Sequence, residues 1–264
     1  MLEIKDSVAV VTGGGGGIGL ALAKYWVGNG GMVLVADVSE PLLSSAETQL
    51  KEMNGDFRTI LCDVTSEDDC SRVADFAIEQ FGRINLVAPF AGIIADALMV
   101  SADKPTGKVT RKMTLRQFQS VIDINLTGVF LTVRECAERM INNNCKGLIC
   151  LISSTGSHGT AGQINYSSSK AAMSVFPKVL TAEFFRRGLA DKIRCVAVAP
   201  GYVGTPMVRQ MPQAVLNQII EQVPIGRLIE PEEVVSLIGE LYRNESVAGD
   251  VYYIHGGLRL GSRG

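Results

Sequence analysis

Short apolar runs alternate with longer amphipathic stretches from one end of the chain to the other. The apolar runs fall at 8–11, 32–36, 57–62, 84–88, 148–152, 193–199 and 251–254. They read as continuous rather than alternating, the pattern of strands covered on both faces. The amphipathic stretches at 18–27, 42–53, 67–81, 114–143, 164–187 and 231–243 read as helices. Strand–helix alternation of this kind predicts an α/β fold, a doubly wound parallel sheet with helices on both faces. No linker, repeat or low-complexity tract breaks the pattern, so residues 1–264 read as one domain.

The turn after the first strand narrows the function. Thr12-Gly13-Gly14-Gly15-Gly16-Gly17-Ile18-Gly19 joins that strand to the first helix, and Gly14, Gly16 and Gly19 match G-x-G-x-x-G in the strand–turn–helix setting that motif needs. Without Cβ atoms the backbone can turn tightly and approach a pyrophosphate, which the N–H groups of the helix N-terminus then hold. The expected cradle includes Gly13, Gly16, Gly17 and Ile18, which makes the sheet Rossmann-type. Asp37 closes the second strand, 18 residues after Gly19. A carboxylate there accepts hydrogen bonds from ribose hydroxyls and repels a 2′-phosphate. The phosphate turn carries no Lys or Arg, so NAD(H) is expected over its phosphorylated form.

Bulk properties exclude some classes. Of the 264 residues, 47% are hydrophobic and 20% charged, with a net charge of −2, which favours neither nucleic acid nor an anionic membrane surface. No apolar run is long enough to span a bilayer. The six cysteines show no C-x-x-C spacing and no histidine at metal-site distance, so no metal is expected and the thiols read as reduced. The first residues lack a basic stretch followed by an apolar one. A cytoplasmic location is therefore expected.

Residues 95–112 exceed the usual length of a connection. Pro105-Thr106-Gly107-Lys108 suggests a tight turn within a small hairpin. Lys104, Lys108, Arg111 and Lys112 make this segment basic. It reads as a solvated loop, as a dock for an acidic substrate tail such as a CoA phosphate, or as an oligomer contact.

Thr12-Gly13-x-x-x-Gly17-Ile18-Gly19, taken with Tyr166-x-x-x-Lys170, resembles the short-chain dehydrogenase/reductase family over essentially the whole chain. The resemblance implies hydride transfer between nicotinamide and a carbinol or carbonyl carbon. It implies catalytic roles for Asn125, Ser153, Tyr166 and Lys170; Ser153 is chosen over Ser154 because the family serine usually precedes the tyrosine by 13 residues. Asp63 and Val64 look like the family's adenine-contacting pair, and Ala91 and Gly92 allow close cofactor approach. Pro200-Gly201-Tyr202-Val203-Gly204-Thr205-Pro206-Met207 is similar to P-G-x-V-x-T-x-M, which assigns Pro200, Gly201, Val203 and Thr205 to the cofactor. Where the family commonly has N-N-A-G, this chain has Pro89-Phe90-Ala91-Gly92, a departure that touches the cofactor pocket rather than the proton chemistry. Family members pair through helices matching 114–143 and 164–187, so a homodimer or homotetramer is implied.

The expected chemistry follows from charge. Oxidising an alcohol removes a hydride from carbon and a proton from oxygen. A free tyrosine has a pKa near ~10, and bringing it to neutrality takes about 4 kcal/mol of preferential phenolate stabilisation. Tyr166 and Lys170 stand at i and i+4 and so share a helix face, where the ammonium favours the phenolate. Tyr166 would serve as general base, and as general acid in reverse. Tyr166 and Lys170 would also touch the nicotinamide ribose. Ser153 would donate to the substrate oxygen, and Asn125 would anchor a water leading from Lys170 to solvent. Substrate loops are expected at 93–112, 155–165 and 202–223, with His158 and Tyr202 as substrate contacts or as ordinary loop residues. A secondary alcohol, such as a hydroxyacyl thioester, is the leading substrate. The alternatives are a 3-oxoacyl thioester reductase and a catalytically idle NAD(H) sensor.

Overall fold

The computed structural model describes residues 1–258, so the end of the expected 1–264 domain lies outside the described residues. Strand β1 (Val8–Thr12) is buried at every position and feeds the glycine turn and helix α1 (Gly17–Gly28). The chain then winds outward through β2 (Met32–Asp37), α2 (Glu40–Glu52), β3 (Asp56–Leu61) and α3 (Glu67–Phe81). It returns to the other side of β1 as β4 (Leu86–Pro89). A two-stranded hairpin, β5 (Val100–Ala102) and β6 (Val109–Lys112), projects from the next connection. Helix α4 (Leu115–Ile122), a π-helical turn over Asp123–Thr127 and α5 (Gly128–Asn142) follow. The remainder is β7 (Gly147–Ile152), α6 (Ile164–Ala172), α7 (Phe176–Arg186), β8 (Ile193–Pro200), α8 (Pro206–Arg209), α9 (Gln213–Ile220), α10 (Pro231–Arg243) and β9 (Val251–Ile254).

The seven-stranded sheet has the order β3-β2-β1-β4-β7-β8-β9, and every pairing is parallel. Its direction of winding reverses between β1 and β4, and the crevice beyond their carboxyl ends is where such sheets bind ligands. One face carries α1 and α10 over a core with Leu22, Trp26, Ile238 and Tyr242, in which the rings of Trp26 and Tyr242 meet edge-on at 4.8 Å. The other carries α3 and α5 over Cys70, Val73, Cys136 and Met140.

Three expectations need correction. Strand β3 is not a covered apolar run: Asp56, Arg58 and Leu61 are exposed. It is the sheet's edge and pairs with β2 alone, so part of it faces water. The single helix expected over 164–187 is two, because Pro177 stands at the start of α7 and cannot donate into a continuous helix. The single helix over 114–143 is interrupted by the π turn. In the hairpin, the Asp103 amide donates to the Lys108 carbonyl at 2.8 Å and that of Gly107 to the Asp103 carbonyl at 2.8 Å, which gives the expected tight turn. The expected loop at 202–223 carries α8 and α9. Among the described residues no helix is long and apolar enough to cross a membrane.

Arg194 in β8 supports the far end of α10. It is 5% exposed, yet its guanidinium meets no carboxylate there. Instead it donates to the carbonyls of Leu241 (3.0 Å), Tyr242 (2.7 Å), Asn244 (3.0 Å) and Val247 (2.8 Å). These include carbonyls that a helix C-terminus leaves unpaired.

Candidate active site

The glycine turn is shaped by close backbone approach. A Cβ on Gly13 would lie 2.6 Å from the Ala91 amide nitrogen, and one on Gly19 would lie 2.3 Å from the Gly13 carbonyl oxygen. Gly16 is the N-cap of α1 and no side chain caps the helix, so its first N–H groups face outward as an anion seat. Asp37 accepts from the Gly15 amide at 3.0 Å and from the Ser39 amide at 3.0 Å. The next helix is capped by Ser39, not by Asp37. The carboxylate is thus fixed beside the phosphate turn at the end of β2. Asp63 lies on the neighbouring strand end, where the Cys62 amide donates to the Asp37 carbonyl at 2.9 Å. One Asp63 oxygen accepts from the Thr65 amide (2.9 Å) and hydroxyl (2.7 Å). Val64 is buried against Gly128, Ile18 lines the cavity described below, and Thr205 hangs 3.5 Å from where a Gly17 Cβ would stand. These features fit a dinucleotide, with room for its backbone and a seat for its phosphates.

The Pro89-Phe90 departure has a local cost and a local repair. The β1–β4 pairing survives, with Thr12 opposite Pro89, and the Phe90 amide donates to the Thr12 carbonyl at 3.1 Å. The Thr12 hydroxyl is buried without a partner. The Phe90 ring packs against the core beneath α1.

A cavity of about 340 Å³ opens over the carboxyl ends of the central strands, and Ser153, Ser154, Tyr166 and Lys170 all line it. Lys170 is 4% exposed and its ammonium donates to the Ile152 carbonyl at 2.9 Å. Burial lowers its pKa to about 8. Its nitrogen lies 5.7 Å from the centre of the Tyr166 ring. Burial pushes the Tyr166 phenol up, a hydrogen bond with Ser154 pulls it down, and the Asp96 charge pushes it up. Asn125 sits in the π turn, fully buried. Its amide grips Ile93, accepting from the backbone N–H at 2.8 Å and donating to the carbonyl at 2.9 Å. That grip fixes the chain just after Ala91 and Gly92.

The two serines part company. The Ser153 hydroxyl is 3% exposed and donates to the Lys170 carbonyl at 2.9 Å. The Ser154 hydroxyl accepts from the Gly156 amide at 3.0 Å and lines the cavity with the Tyr166 phenol, whose pKa it lowers. The spacing that favours Ser153 over Ser154 carries no information on which hydroxyl is engaged, and the Ser153 hydroxyl is the one held by the Lys170 carbonyl.

On the substrate side, Tyr202 lines the cavity, as do Pro200, Gly201 and Val203. His158 does not: it is exposed and its Nε2 meets the Tyr253 hydroxyl of β9 at 2.9 Å. Asp96 and Gln163 are not among the expected site residues, yet Gln163 lines the cavity and its amide donates to the Asp96 carboxylate at 2.8 Å. Away from this site, an apolar groove of about 500 Å³ runs between α5 and α7, floored by Phe130, Ala137, Phe176 and Leu180. Phe185 nearby is 77% exposed.

The family described as short chain dehydrogenase matches residues 7–215. The chain is 31% identical to the 3-oxoacyl-(acyl-carrier-protein) reductase FabG of Thermotoga maritima, over 97% of this chain and 99% of that one. It is 32% identical to the 3-hydroxyacyl-CoA dehydrogenase type-2 of Bos taurus, over 98% and 97%. It is 31% identical to the (3R)-3-hydroxyacyl-CoA dehydrogenase of Homo sapiens, over 97% of each.

Proposed function

Because the chain belongs to the short-chain dehydrogenase family and is an oxidoreductase, we propose that it uses NAD(H) to interconvert a 3-hydroxyacyl thioester and its 3-oxoacyl counterpart. The observation that carries this reading is the half-buried Tyr166 with the buried Lys170 beside it in a cavity near the glycine turn. The thioester is favoured because three relatives with nearly full coverage are named for 3-oxoacyl or 3-hydroxyacyl carriers. The basic hairpin offers cations that an anionic carrier tail could meet.

When bound, nicotinamide supplies the hydride exchange and, oxidised, a positive charge beside the phenol. Tyr166 takes the carbinol proton in oxidation and returns it in reduction. Lys170 stabilises the phenolate from the same helix face and holds ribose hydroxyls. Ser154 rather than Ser153 donates to the substrate oxygen, because the Ser153 proton is engaged by the Lys170 carbonyl. Asn125 holds the wall of the pocket through Ile93. Gly13, Gly16, Gly17 and Ile18 seat the pyrophosphate, Asp37 the adenosine ribose, Asp63 and Val64 the adenine. Thr205, with Pro200, Gly201 and Val203, lines the same cavity and would hold the nicotinamide end. The free, buried cysteines suit the cytoplasm, and the groove on α5 and α7 suits a homo-oligomer.

The direct test is a titration of the purified protein with NADH and NADPH, followed by turnover of hydroxyacyl and oxoacyl thioesters. NADH preference with turnover supports the reading. NADPH preference would favour a biosynthetic oxoacyl reductase, and binding without turnover a sensor. Asp37→Ala should shift the NAD/NADP preference by about tenfold or more toward NADP, through loss of the ribose bonds and of the charge that opposes a 2′-phosphate. An unmoved preference removes Asp37 from the ribose. Ser154→Ala should cost about 10²-fold in kcat, as expected when one donor to a developing oxyanion is lost. Ser153→Ala should cost stability more than rate. The reverse pattern would restore Ser153 to the substrate.

A further inference from the structure

We propose that Asp96 sets the charge specificity of the cavity, admitting uncharged 3-hydroxyacyl derivatives and repelling free 3-hydroxy acids of the same skeleton. The inference rests on the functional reading above and deepens it.

Asp96 is an exposed carboxylate, but it is not a loose one. The segment that carries it is stitched to two helices. Gln117 of α4 donates to the carbonyls of Ala95 (3.2 Å) and Asp96 (3.3 Å). Asn165 of α6, itself fully buried, donates to the Ala95 carbonyl at 3.0 Å. The Ala97 amide donates to the Gly162 carbonyl at 2.9 Å. The side chain is then aimed by Gln163, three residues before the catalytic tyrosine, at 2.8 Å. An amide orients a carboxylate without supplying a countercharge, and Gln163, which does so here, lines the cavity.

That charge is felt at the reacting end, since it acts on the Tyr166 phenol. Ser154 from the loop after β7 and Asp96 from the segment after β4 act on the phenol, and the Lys170 nitrogen lies 5.7 Å from the ring centre. A 3-hydroxy acid would carry its carboxylate two carbons from the carbinol that Tyr166 deprotonates. It would bring a second anion toward the fixed Asp96 carboxylate, and like charges at short range repel even beside water. A thioester has no charge at that carbon and escapes the penalty. Its anionic groups lie at the far end of the carrier, beyond the pocket.

The test compares racemic 3-hydroxybutyrate with its N-acetylcysteamine thioester. The wild type should favour the thioester strongly in kcat/KM. Asp96→Asn, which keeps the shape and the bond to Gln163, should raise the acid-to-thioester ratio by about tenfold or more. It should also move the alkaline rise of kcat/KM to lower pH, because the charge that raises the phenol is gone. Asp96→Glu should keep the discrimination. Added salt should narrow the wild-type discrimination and leave that of Asp96→Asn unmoved. An unchanged ratio in Asp96→Asn, with the thioester still turned over, overturns the role of Asp96 alone. No turnover of the thioester by the wild type overturns the functional reading and this inference with it.

Discussion

Tyr166→Phe should lower turnover by about 10²–10⁴-fold while NADH binds within a few-fold of the wild type. The change deletes one oxygen and keeps the ring, so the packing of α6 beside Lys170 is retained. What disappears is the acceptor for the carbinol proton. The two quantities separate because, in the proposed reading, the proton transfer depends on the phenol, whereas the glycine turn, Asp37 and Lys170 would supply most of the cofactor's contacts. Stopped-flow binding with steady-state kinetics on a thioester would report both. Residual turnover above about a tenth of the wild type would show that another group takes the proton, since a positioned base is worth far more than that. A parallel loss of NADH affinity would show that the phenol holds the cofactor instead.

Arg194→Met should destabilise the fold by about 3 kcal/mol, with the cofactor site intact in what remains folded. The long apolar side chain fills much of the same space. It takes the guanidinium from the Leu241 and Tyr242 carbonyls at the end of α10 and from those of Asn244 and Val247 just beyond it, of which Asn244 keeps the Val247 amide as a donor. Stranded acceptors are costly, and removing a cation that burial already disfavours offsets only part of that cost. For a chain of this size the melting temperature should fall by about 6–12 °C. Thermal unfolding followed by circular dichroism gives the number. A fall under about 2 °C would mean that water reaches those carbonyls and does the work of the guanidinium.

Much of the sheet was legible because its signals are strong and redundant. A run such as Val8-Ala9-Val10-Val11 ahead of five glycines suits little besides a buried strand entering a phosphate turn. Strand β3 misled because Phe57, Ile60 and Leu61 carry enough apolar weight to mask an edge, and edge position depends on strand order, not on local composition. Pro177 announces the break between α6 and α7, but the apolar spacing runs through it unchanged. The π turn at Asn125 leaves no mark at all, because one extra residue in a helical turn barely alters an amphipathic pattern. The serine question has a similar root. Successive side chains at a strand end point to opposite faces, so one residue decides which hydroxyl meets the phenol and which meets the Lys170 carbonyl. Asp96 is an exposed carboxylate in a loop, and only its ties to α4 and α6 set it apart.

Lys170 also makes cofactor affinity a matter of proton accounting. Its ammonium is buried against a single carbonyl, that of Ile152, and ionises near pH 8 instead of its ordinary 10.5. The folded protein therefore holds this proton at a disadvantage below pH 8, and the disadvantage fades as pH rises toward 10.5, where the unfolded chain loses the proton as well. Any ligand that brings hydroxyl oxygens to the ammonium relieves the disadvantage. Binding then draws a proton from solvent in the interval between those two values. In the proposed reading, part of the cofactor affinity at neutral pH would come from a charge the fold had left under-solvated, and it would be withdrawn in alkali without any contact being broken.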